Sequence, residues 1–291
     1  MGIEKRVVVW SGRGLRVAGR MGGDGMRNAI FGLGLIAPLL LPGGGMAQAP
    51  VDAAAPSSAT VLEKSLEYRF QLDLTVDQAA LDIFLPKGWV SQIATMGGGT
   101  GCNLRLIFID RGQIEGADNK VIGKGHDVLA VLEAPVRPAG EAGAAARGGS
   151  KMIVGGISRD EAGGALLAAK RVTVTRTHDI KEGAETVHEV WNLEAAGGEH
   201  LSLDVTYHPA PANIFSYQSR FLDSSDPTKT RLVRIEEITD ITRNVTLLPP
   251  DRVASFAFKA GGGKFAPLFD GAVKVLSWDS QPVSMRTVIQ P

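Results

Sequence analysis

The sequence predicts a mostly β domain whose strands close into a barrel or pack as a sandwich. Three observations carry this. Apolar and polar residues alternate along several segments, turn residues punctuate those segments at short spacing, and only two short stretches carry helix signals.

The domain is expected to begin at residue 62. Leu66, Tyr68, Phe70 and Leu72 alternate with Glu67, Arg69, Gln71 and Asp73, the period of a strand with one apolar and one polar face. Thr75-Val76-Asp77 then precedes Ala79, Ala80, Leu81, Phe84 and Leu85, which predicts a capped helix of about two turns ending at Leu85-Pro86. Leu104 to Ile109 reads as a buried strand closed by Asp110-Arg111-Gly112, and Val128 to Leu132 as another closed by Glu133-Ala134-Pro135. The Gly/Ala-rich stretch 138–150 has too little apolar surface to order itself and is expected to be a mobile loop. Val172 to Thr177, Val187 to Leu193 and Leu201 to Tyr207 form a meander, with Leu201, Leu203, Val205 and Tyr207 on the core face of its last strand. Arg231 to Leu248 is one long bent strand or two, and Val253 to Phe258 follows. A short helix at Phe265 to Asp270 and strands at Val273 to Trp278 and Val283 to Ile289 complete the domain.

Ahead of it, Met26-Arg27-Asn28, the apolar run Ala29 to Leu41 and the small residues Gly45-Met46-Ala47 or Ala47-Gln48-Ala49 have the layout of a secretory signal peptide, with cleavage after Ala47 preferred and the peptide over 26–47. The run is about a dozen residues, whereas a bilayer span needs roughly 20. No stable membrane insertion is expected after cleavage. Residues 1–25 read as an over-extended start and 48–61 as a flexible Ala/Pro/Ser tether. The expected location is therefore periplasmic or secreted.

The 31 basic and 31 acidic side chains cancel, which argues against a nucleic-acid partner. The sequence carries no signal for an oligomeric state. Cys102 is the single cysteine, so neither an internal disulfide nor a cysteine zinc site can form. No HxH or HxxxH pair occurs, and His200 and His208 would stand about 26 Å apart on one strand; no metal and no cofactor are expected. Gly97 to Gly101 lacks the Lys-Ser/Thr ending of a phosphate loop and precedes a strand, so it is read as a flexible connection. Asn244-Val245-Thr246 fits a glycosylation sequon but lies within a strand pattern. No G-x-S-x-G elbow is present. The most informative stretch is Lys151 to Glu161, where an apolar strand gives way to Gly155-Gly156 and then Ser158-Arg159-Asp160-Glu161. The glycines permit a bend or close backbone approach. The charged run beyond them forms either the rim of a pocket or a solvated turn.

The strand-helix opening from Phe70 to Leu81 with its Leu85-Pro86 exit resembles the acetoacetate decarboxylase-like family, as do Ile238 to Thr242, Ala266-Pro267-Leu268-Phe269-Asp270 and Val273 to Leu276. The resemblance implies a closed or nearly closed antiparallel β-barrel or cone with two or three short helices and a small apolar-walled cavity over residues 62–291. It also implies an amine-based chemistry, in which a lysine of a Lys-Lys pair forms a Schiff base with the substrate; that enzyme is a standard example of an amine activated by a neighbouring cation. Here the equivalent positions fall near Glu161, Ala162 and Gly163, without lysine, and the family's pocket acids have no clear counterpart on Leu104 to Ile109. Lys151 and Lys170 are the candidates for a displaced amine. The expectation is an exported, non-catalytic or small-ligand-binding member of this fold. The alternative is a divergent lyase-type enzyme acting on a small carbonyl or carboxylate compound through Lys151, Arg159 or Glu161. In either case the candidate ligand-binding residues are Glu67, Arg69, Arg105, Ser158, Arg159 and Glu161, around a small organic ligand.

Overall fold

The computed structural model describes residues 60–95, 98–140, 150–160, 162–211, 213–239, 241–244 and 252–290. The expected leader and tether up to 59, most of the 138–150 loop, Glu161 and Val245-Thr246 of the sequon lie outside these residues.

The strands are β1 (Thr60–Thr75), β2 (Trp89–Ser91), β3 (Leu104–Glu115), β4 (Asp127–Pro138), β5 (Lys151–Ser158), β6 (Leu167–Lys181), β7 (Ala184–Ala195), β8 (His200–Tyr207), β9 (Asn213–Asp223), β10 (Asp226–Thr239), β11 (Ile241–Asn244), β12 (Val253–Gly261) and β13 (Lys274–Gln290). The helical pieces are α1 (Gln78–Asp82), a 3-10 turn (Gly263–Phe265) and α2 (Ala266–Phe269). The Asp77 side chain caps α1 by accepting from the Ala80 amide, as its position before the apolar run predicts. The helix is one turn rather than two.

Strand pairing closes on itself: β1 bonds β3, β3 bonds β4, β4 bonds β5, β5 bonds β9, β9 bonds β10, β10 bonds β13, and β13 returns to β1. The expected closure is therefore present as a ring of strands, antiparallel except where β5 meets β9. From β5 a parallel contact leads into the meander β6-β7-β8, which β12 extends.

Three boundaries differ from expectation. Asp110-Arg111-Gly112 and Glu133-Ala134-Pro135 do not close their strands; β3 and β4 run on through them, because Arg111 and Glu133 find charged partners on neighbouring strands. The last two expected strands are one, β13, carried past Pro282 by irregular register against β1. The strand β9 has no counterpart in the expectations.

The two faces of the ring differ. The outer face contributes Phe70, Leu72, Leu106, Phe108, Leu132 and Trp278 to the main core, which the meander covers with Trp191, Leu203 and Val205. Within this apolar layer lies one polar cluster centred on Glu189, which is fully buried. Tyr68 and Tyr207 donate their hydroxyls to Glu189 Oε1, the latter at 2.7 Å, and Trp191 Nε1 donates to Oε2 at 2.9 Å. Arg176 lies over the Tyr68 ring, 3.3 Å from its centroid. Ring and meander are thus fastened by a carboxylate whose two oxygens are both occupied, which removes the penalty of burying it.

Gly156 shows why the strand bends at its glycines. Its φ of 155° and the 2.5 Å separation between a built Cβ and the Ala130 carbonyl oxygen leave no room for a side chain. The register against β4 shifts just beyond it, between the pairs Leu132–Gly155 and Glu133–Ile153.

Candidate ligand site inside the strand ring

Alternation along β1 sends Phe70, Leu72 and Leu74 outward and Glu67, Arg69, Gln71 and Asp73 inward. Register then aligns the inner residues of the neighbours. Arg111 faces Glu67 and Arg105 faces Asp73 across β3, while Ser284, Gln281, Asp279 and Ser277 of β13 stand beside Glu67, Arg69, Gln71 and Asp73. Two apolar patches share this face. One is Ile107, Ile109, Leu129 and Val131; the other is Val233, Ile235 and Val288 with Tyr217 and Phe221 against them. The inner face is therefore not the apolar wall that the resemblance implied: apolar patches alternate on it with buried charges.

Burying charges is tolerable when they are paired, and the inner cations are. Arg69 Nε donates to Glu67 Oε2 at 2.7 Å, Arg105 Nε to Asp73 Oδ1 at 2.8 Å, and Lys151 Nζ lies 3.0 Å from Glu133 Oε1. Burial alone would raise the Glu67 carboxyl, but Arg69, Arg286 and Arg111 outweigh it and hold it at about 2.

Lys151 is the unusual member. Its amine sits 5.3 Å from the Phe221 ring centroid and 5.8 Å from that of Tyr217, beside Glu133. Burial lowers its pKa below the usual lysine value, and the Arg105 and Arg69 charges push the same way against the pull of Glu133. Its side chain nevertheless keeps 18% of its surface accessible, and that of Arg105 keeps 24%. A lysine in such surroundings gives up its proton more readily than an exposed one.

Two inner acids have no cation partner of their own in the described residues. Glu237 is buried, and burial raises its pKa although Arg69 and Lys151 oppose this; its Oε2 makes no hydrogen bond. Burial and the Asp73 carboxylate raise Asp279 to about 8, and it accepts a 2.7 Å hydrogen bond from Gln281 Nε2. Gln281 Oε1 and Ser284 Oγ are likewise buried without partners.

The sequence candidates divide accordingly. Glu67, Arg69 and Arg105 face the interior. Ser158 is buried but donates to Asp127 Oδ2 at 2.7 Å. Arg159 does not join them: it lies on an exposed turn, paired with Asp160 at 2.7 Å, so the solvated-turn reading of that segment holds for it. Glu161 is outside the described residues. Of the two candidate amines, Lys170 is exposed on β6 and Lys151 points inward. Buried or half-buried acids reach the inner face from other strands, Glu133 from β4, Glu237 from β10 and Asp279 from β13. The inward aromatics Tyr217 and Phe221 of β9 were missed, although the alternation of Phe215, Tyr217 and Phe221 with Ser216, Gln218 and Arg220 was a signal that could have found them. Among the described residues no three His, Cys, Asp or Glu side chains group as metal ligands, and no helix is long and apolar enough to cross a membrane.

No family description and no curated protein matches the chain. Solved structures similar to it include the enduracididine biosynthesis enzyme MppR in complex with the condensation product of pyruvate and imidazole 4-carboxaldehyde, at 12% identity and TM-score 0.46 over 80% of this chain and 88% of that one. An acetoacetate decarboxylase-like enzyme from Sphingomonas wittichii RW1 is similar at 15% identity and TM-score 0.43, over 84% of this chain and 95% of that one. Acetoacetate decarboxylase from Legionella pneumophila is similar at 11% identity and TM-score 0.37, over 80% and 86%. Likenesses of this order carry no residue roles over; the roles argued for this chain rest on its own geometry.

Proposed function

We propose that the protein is an exported small-molecule protein in which the Lys151 amine, inside the strand ring, condenses with the carbonyl of a small oxo compound. One observation carries the reading: an accessible lysine whose pKa is lowered, 3.0 Å from a buried carboxylate, in a closed ring of strands. With its proton passed to Glu133, the Nζ lone pair adds to the carbonyl carbon. The carbonyl oxygen takes up two protons in turn and leaves as water, so that a protonated imine remains. That imine draws electrons from a neighbouring bond. A carboxylate β to the original carbonyl would leave as carbon dioxide, a lyase outcome. Relative to the resemblance, the amine comes from the first residue of β5 instead of the region beyond its end.

The ion pair with Glu133 favours a second reading, in which Lys151 stays charged and the site only binds. Borohydride reduction of the protein with a small β-keto acid separates the two. The enzyme reading expects one adduct per chain by intact mass, absent in Lys151→Met. Saturable binding without any adduct would leave the binding reading. Export rests on the 26–47 pattern, and the intact mass of protein from a periplasmic extract tests it: the chain should begin near Gln48 or Pro50.

A further inference from the structure

We propose that the ligand of the ring interior carries a protonated nitrogen, and that Glu237, with Gln281 and Ser284, is the subsite that receives it. The inference rests on the proposed small-molecule site and adds the chemistry of the ligand's second group.

The three side chains come together through register. Glu237 of β10 lies directly across from Ser284 of β13, Ser284 lies across from Glu67, and Gln281 lies across from Arg69. All are at least nine-tenths buried, at 8% exposure for Glu237, 2% for Gln281 and 0% for Ser284. Each has an oxygen with no hydrogen-bond partner: Glu237 Oε2, Gln281 Oε1 and Ser284 Oγ. A buried acceptor without a donor is costly, and three gathered on adjoining strands imply a donor-rich group between them.

The neighbouring charges say what kind of donor fits. Arg69, Arg105 and Lys151 are each engaged by a carboxylate of their own, Glu67, Asp73 and Glu133. They have little left to offer an anion at this spot. Among the described residues Glu237 has only Thr239, whose hydroxyl donates to its other oxygen at 3.4 Å. A hydroxyl on the ligand would supply one donor, whereas an ammonium supplies three together with the charge that Glu237 lacks. The field of Arg69 and Lys151 acts on Glu237 without pairing it, and burial holds its carboxyl above the usual range, as expected of an acid awaiting a counter-ion.

A matched pair of probes tests this: 5-aminolevulinate, an oxo acid with an amino group, and levulinate, the same chain without it. Each is titrated near neutral pH against the full-length mature protein while thermal stability is followed. The amino probe should stabilise the wild type at concentrations at least tenfold lower than levulinate. Glu237→Gln, which keeps the shape and removes the charge, should erase most of that difference. Equal or better stabilisation by levulinate, no stabilisation by either probe, or a preference that survives Glu237→Gln would overturn the proposal. Lys151→Met separates it from the imine chemistry: trapping should vanish in that variant while the preference for the amino probe remains.

Discussion

Two buried carboxylates on opposite faces of the same ring behave differently. Glu189, between ring and meander, accepts from Tyr68 and Tyr207 at one oxygen and from Trp191 at the other. Glu237, on the inner face, leaves one oxygen empty and has no cation of its own among the described residues. A satisfied carboxylate fastens two layers, and an unsatisfied one marks a place where something binds. The exposures of the two are nearly alike, at 0% and 8%, so burial alone does not separate structure from function.

The largest expected effect breaks the satisfied member. Glu189→Ala strands the Trp191 indole N–H and the Arg176 guanidinium and leaves the Tyr68 and Tyr207 hydroxyls only each other and Ser280, so it should cost about 3–5 kcal/mol in urea unfolding. Glu237→Gln should leave stability unchanged or raise it by about 1 kcal/mol, since a buried, unpaired charge is removed. A large loss in Glu237→Gln, comparable with that in Glu189→Ala, would erase the contrast.

Next in size is Gly156→Ala. The forced departure from positive φ and the clash with the Ala130 carbonyl should cost about 1–3 kcal/mol by the same measurement. Because the bend sets β5 against β4, this variant should also weaken ligand binding at Lys151.

Smaller and dependent on pH is the effect of Asp279. Its folded pKa, about 8, lies above the ordinary value of 3.8, so the folded chain holds a proton that the unfolded chain has released between these values. Stability should therefore fall as pH rises from about 4 to about 8, by less than the ceiling of about 1.4 kcal/mol per pH unit because the group is half-buried. Asp279→Asn should flatten that slope. Glu67 acts oppositely: its pKa is lowered to about 2, so its stabilisation is present above the ordinary value of 4.5 and is lost as pH falls towards 2. Glu67→Gln should remove that acid-side loss and leave the Asp279 slope in place.

Legibility in the sequence followed the range of the interaction. Glu67, Arg69 and the capped α1 are local, and alternation or spacing revealed them. Glu133 was hidden because Pro135 reads as a strand end, while β4 accommodates that proline opposite Lys151 and runs on to Pro138. Lys151 stood out only as a lysine opening an apolar strand. Nothing nearby shows that its amine meets Tyr217 and Phe221, since β9 reaches it only when the ring closes. Glu237 and Asp279 are legible as inward residues of their strands, but their lack of cation partners emerges only from the whole ring.

On the proposed function, the Lys151 amine titrates below an ordinary lysine. Its titration can be followed by NMR on protein carrying 13C-labelled lysine at Cε, with the resonance assigned by its loss in Lys151→Met. The expected midpoint lies clearly below the ordinary lysine value of 10.5. A Lys151 midpoint at or above that value would contradict the proposed role of its amine.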